Sequence, residues 1–130
     1  MYVGGLDMKD RQKLAQILKS ELLFLDQGGY RQRPRFPWRP NFVFEDSPTC
    51  INFRDAGERH ACTQCPLIQF VPRDRRDARF PCRHINLTDC GETVKSFYEW
   101  GTNEELETAL RGWLGRTIQE LEAEPKASVH

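Results

Sequence analysis

The most chemically pointed stretch of the chain is Cys62-Thr63-Gln64-Cys65. Two thiolates separated by two residues can converge on one metal ion while the backbone between them turns and donates N–H groups to sulfur. A tetrahedral ion needs two more ligands, and the sequence offers Cys50 upstream with Cys82, His84 and Cys90 downstream. Cys50 follows Ser47-Pro48-Thr49, and the short charged loop from there to Cys62 suits closure on a metal. Cys82 lies in Pro81-Cys82-Arg83-His84, where residues two apart on an extended chain face the same side. The expected ligands are therefore Cys50, Cys62, Cys65 and Cys82, with His84 as a substitute or a neighbour just behind them. Cys90 falls at the expected start of a helix and is left outside the set.

Zinc is the expected occupant. With four protein ligands it keeps no open position for water, which makes it structural and not catalytic. Such a site can add folding free energy on the order of 10 kcal/mol in small modules. An iron–sulfur cluster uses the same four thiolates and is the alternative cofactor. A thioredoxin-like redox pair needs a βαβ setting, which Pro66 and the residues after it do not supply. Each cysteine alone could be an inert buried thiol, but the paired spacing beside two further candidates argues against that for Cys62 and Cys65. Five cysteines, an odd number, without an export signal also argue against a disulfide framework.

Arg73, Arg75, Arg76, Arg79 and Arg83, with Phe36 and Trp38 upstream, are the ingredients of a nucleic-acid surface. Asp74 and Asp77 interrupt them, so a solvated loop with internal ion pairs is the plainer reading. Cys90 with His60 or His84, or Asp55 with Glu58, could in principle do catalytic work. No glycine-rich phosphate loop, H-E-x-x-H or G-x-S-x-G pattern supports it, and the reading leans away from an enzyme.

The elements that must position these residues follow from periodicity. Over residues 7–26, Leu14, Ile17, Leu18, Leu22 and Leu25 recur at helical spacing after the capping candidates Asp7 and Asp10, and Gly28-Gly29 supplies the stop. Residues 30–40 alternate proline with arginine and favour an extended, polyproline-like path. The runs 41–45, 51–54 and 67–71 read as short strands of an antiparallel sheet. Residues 90–100 carry Val94, Phe97 and Tyr98 at helical spacing, with Asp89 and Glu92 in capping-box positions and Gly101 beyond the end. Thr102 and Glu105 repeat the box ahead of a stripe of Leu106, Ala109, Leu110, Trp113, Leu114, Ile118 and Leu121.

At 130 residues the chain is expected to be one domain. Residues 1–7 and 125–130 are expected to be flexible ends, and 46–90 a cysteine-rich metal-binding region. That region is rich in Arg, Asp and Pro and carries few large apolar side chains, which is why a metal would be wanted there. Residues 31–90 hold eleven arginines against seven acids, whereas the tail from Gly91 is net negative and the whole chain is formally neutral. No apolar run approaches the roughly 20 residues that span a bilayer, so no membrane partner and a cytoplasmic location are expected. The expected fold is α+β: an N-terminal helix, a short antiparallel sheet with a metal-stabilised loop region, and two C-terminal helices. The expected function is that of a small protein with a structural cysteine-ligated zinc, serving as a binding or regulatory module for a protein partner. Nucleic-acid binding through the arginine-rich middle, and redox or iron–sulfur chemistry on the same cysteines, are the alternatives.

Overall fold

Leu14, Leu18 and Leu25 fall on one side of a 3.6-residue repeat, and α1 (Met8–Asp26) buries all three. The computed structural model describes residues 8–31, 41–47, 49–50, 61–62 and 65–123. Gly28 ends the first helix with a left-handed backbone at φ 75°, a conformation that a residue with a Cβ adopts only under strain. Two further helices follow late in the chain, α2 (Val94–Trp100) and α3 (Asn103–Glu122). Thr102 caps α3 with a reciprocal box: its side chain accepts from the Glu105 N–H while the Glu105 carboxylate accepts from the Thr102 N–H. Leu106, Leu110, Trp113, Leu114, Ile118 and Leu121 are all buried, as the stripe requires.

The first and last helices pack side by side. Arg111 meets Asp26 at 2.9 Å, Lys19 pairs with Glu122, and Arg11 donates to the carbonyls of Glu120 and Ala123. Contacts that run up one helix and down the other make the pair antiparallel. Arg31 extends the series just past the first helix with two bonds to the Glu107 carboxylate, at 3.0 and 3.3 Å. Trp113 carries the core onward, meeting Phe70 and Phe44 edge to face at centroid distances of 5.2 and 6.0 Å.

The expected α+β fold with its antiparallel sheet is not found among the described residues. Among the described residues the fold is helical, with no strand and a single isolated antiparallel bridge between Asn86 and Thr93. Residues 41–47 form a compact turn instead. The N–H groups of Phe42, Val43 and Phe44 go to the Asp46 carboxylate, the Tyr98 hydroxyl and the Tyr30 hydroxyl at 2.7–2.8 Å, so none is left for a strand ladder. Pro66–Phe70 is a 3-10 helix: proline at its first position presets the backbone, and Leu67 and Phe70, three apart, bury the same side. Residues 51–54, the remaining expected strand, lie outside the described residues, as do residues 32–40 of the proline-arginine segment and both expected flexible ends, while Tyr30 and Arg31 at the start of that segment belong to a 3-10 helix and not to extended chain.

The second helix begins later than expected. The Asn86–Thr93 bridge and a left-handed Gly91 at φ 83° hold residues 86–93 in a turn, and the capping box falls on Thr93 and Ser96, not on Asp89 and Glu92. Gly101 ends that helix as expected. Leu67, Phe70, Val71, Ile85 and Leu87 are buried, so the middle of the chain adds more to the core than its composition suggests. No described helix is long and apolar enough to cross a membrane.

Candidate metal centre

Cys50 ends a turn anchored to the first helix. Its N–H donates to the Ser47 carbonyl at 3.1 Å, and the hydroxyls of Ser47 and Thr49 both donate to Glu21 Oε1, at 2.7 and 2.6 Å. Tyr30 donates its hydroxyl to the other Glu21 oxygen and accepts the Phe44 N–H, tying the same turn from its other side. Glu21 is fully buried, and burial raises its pKa above the ordinary value even though all three hydroxyls favour the ion.

Cys62 and Cys65 sit on a second turn. The Cys65 N–H donates to the Cys62 carbonyl, and the Ile68 N–H to the Cys65 carbonyl, both at 3.0 Å, leading directly into Pro66–Phe70. Cys82 belongs to a 3-10 turn, Pro81–His84, that packs against Pro66–Phe70 and against α2. Three separated stretches thus bring four thiols together. Cys50, Cys62, Cys65 and Cys82 all line one cavity of about 40 Å³, whose remaining walls are Phe44, Leu67, Ile68, Val71 and Pro81. All five cysteines of the chain are thiols, not disulfides.

Burial pushes the Cys82 thiol well above its ordinary pKa, and Glu45, Cys65, Cys50 and Cys62 push it the same way. Negative charge gathered in an apolar cavity is costly, and a bound cation reverses that cost. The chemistry of the donors therefore fits a thiophilic metal. Among the described residues, no group of three or more His, Cys, Asp and Glu side chains is placed to hold a single metal ion as it stands.

Phe44 supplies a wall of the cavity from a left-handed backbone, φ 65°. For a bulky residue this costs on the order of 1–2 kcal/mol, and the Tyr30 bond to its N–H and the burial of its ring hold it there. Behind Cys82, Arg83 gives two bonds to Glu45, at 2.7 and 3.0 Å, and lies over the rings of Phe80 and Phe42 at 4.3 and 4.7 Å.

His84 is not among the cavity walls. The expectation that it shares a side with Cys82 assumed extended chain, and in a helix of three residues per turn positions two apart diverge. Burial, with Arg75 and Lys95 nearby, lowers its pKa. Cys90 is exposed on the turn that precedes α2, away from any helix start. Of the five arginines considered for nucleic acid, Arg83 is held by Glu45 and Arg76 donates to the carbonyls of Val71 and Gln69, while Arg73, Arg75 and Arg79 are exposed. His60, Asp55 and Glu58 lie outside the described residues.

Glu21, Phe44, Glu45 and Arg83 were not expected to serve this site. Only Glu21 left a trace in the sequence, as a carboxylate on the Leu14, Leu18, Leu25 stripe, where another apolar residue is the usual choice. No protein-family model, curated protein or solved structure matches the chain.

Proposed function

We propose that the chain is a small cysteine-ligated metal protein, with Cys50, Cys62, Cys65 and Cys82 holding one centre that fastens the middle of the chain to the helices. The observation that carries this reading is the meeting of four thiols, from three separate stretches, in the wall of a single apolar cavity. Four thiolates suit either one zinc ion or an iron–sulfur cluster. With every metal position taken by protein, the centre is structural, and the rest of the molecule serves as a binding or regulatory module. Trp100, 86% exposed, is the side chain best placed to meet a protein partner.

The test is elemental analysis of the full chain, produced with zinc and iron both in supply and purified without oxygen. Metal at a fixed ratio to protein, lost in Cys50→Ser and in Cys82→Ser and kept in Cys90→Ser, is the expected result. A chain that carries no metal under these conditions defeats the proposal.

A further inference from the structure

We infer that the four cysteines hold an iron–sulfur cluster and not a single ion. The inference rests on reading them as metal ligands and adds the size of what they hold. At a zinc–sulfur bond length of about 2.3 Å, the four sulfurs of one tetrahedral ion stand about 3.8 Å apart and leave no space between them. Cys50, Cys62, Cys65 and Cys82 instead border about 40 Å³ of open cavity. Roughly 10–15 Å³ measured in this way already admits a water molecule. The same four cysteines are described residues, yet no three of them could close on one ion as they stand. Both observations point to an occupant with extent, which each thiolate grips at a different corner.

A cluster of iron and inorganic sulfide has that form, since each iron takes its own cysteine ligands and sulfide fills the interior. The surrounding walls suit it as well. Phe44, Leu67, Ile68, Val71 and Pro81 present no charged group to the cavity and lower the dielectric around the sulfides. Negative charge nearby comes from Glu45, and Arg83 neutralises it through its paired bonds. The His84 imidazole lies outside the walls, so the ligands are four thiolates with no imidazole among them.

The deciding measurement is iron, acid-labile sulfide and zinc per chain on the same anaerobic preparation, with its visible absorption before and after dithionite. Iron and sulfide in equal amounts, about two or four of each per chain, with a broad visible absorption that dithionite bleaches, is the expected result. Cys50→Ser and Cys82→Ser should each lose that absorption, and Cys90→Ser should keep it. Because overproduced chains can fill with zinc, metal-free protein is also offered ferrous and ferric iron with sulfide in the absence of oxygen. One zinc per chain, with no uptake of iron and sulfide in that second experiment, overturns the cluster and leaves the metal-protein reading intact. Neither metal in either experiment removes both.

Discussion

Glu21 accepts hydrogen bonds from Tyr30, Ser47 and Thr49 in a position without solvent exposure. Glu21→Ala strands those hydroxyls in the core, at about 1–3 kcal/mol for each one that finds no new partner. Urea unfolding should show a loss on the order of 3 kcal/mol or more. Burial also raises the Glu21 pKa above its ordinary 4.5, so the folded chain holds this proton more tightly than the unfolded chain does. The group's contribution is therefore complete below the unfolded value and declines as the pH climbs through the folded one. The stability difference between the natural chain and Glu21→Gln, which cannot ionise, should shrink or turn against the natural chain as the pH rises from 4 toward 7. A difference that stays flat with pH would show that the carboxyl titrates alike in both states. Arg83 offers a second residue-level test. Lysine in its place cannot make the paired bonds to Glu45 or set a planar guanidinium over Phe42 and Phe80, and Arg83→Lys should cost about 1–2 kcal/mol in the same assay. At this scale the Cys62–Cys65 pair stood out in the sequence because its spacing is a local signal, and the cavity adds Cys50 and Cys82 from separate stretches. Arg83 was not, because its partner lies 38 residues away.

The helices stand on local rules, and local changes should therefore weaken them by local amounts. Thr102→Ala removes the side-chain acceptor of the box at the start of α3, and about 1 kcal/mol of stability should go with it. Gly101 is needed for a different reason. A Cβ there meets Phe97 Cδ1 at 2.8 Å and the Phe97 carbonyl at 3.2 Å, so Gly101→Ala should lower the unfolding midpoint although its backbone angles suit alanine. An unchanged midpoint would mean that the Phe97 ring moves aside freely. Both long helices could be read from the sequence because Leu14, Leu18 and Leu25, and likewise Leu106, Leu110 and Trp113, repeat often enough to separate a period of 3.6 from a period of 2. Residues 41–45 and 67–71 are too short for that distinction. Their shapes are decided by hydroxyls brought in from Tyr30 and Tyr98, where Phe42 and Phe44 alternate as in a strand, and by Pro66 at a helix start, where a short β-type run follows.

Across the whole molecule, the antiparallel helix pair and the cysteine cavity are two sources of order joined through Glu21 and Trp113. If the chain is the metal protein proposed above, stripping the metal from loaded protein should cost several kcal/mol, below the roughly 10 kcal/mol of modules that have no other core. Here Leu67, Phe70, Val71, Ile85 and Leu87 supply buried apolar side chains of their own. Hydrogen exchange on the stripped protein should show the amides of residues 41–50 and 65–84 opening while those of the first and last helices stay protected. Equal loss everywhere would show that the helices depend on the metal as much as the loops do. The antiparallel pairing also governs how the chain can form during synthesis. Leu14, Leu18 and Leu25 are translated before the face of the last helix that packs against theirs, which begins after residue 102. Between those two points of synthesis the nascent polypeptide carries a greasy amphipathic segment without its helical partner.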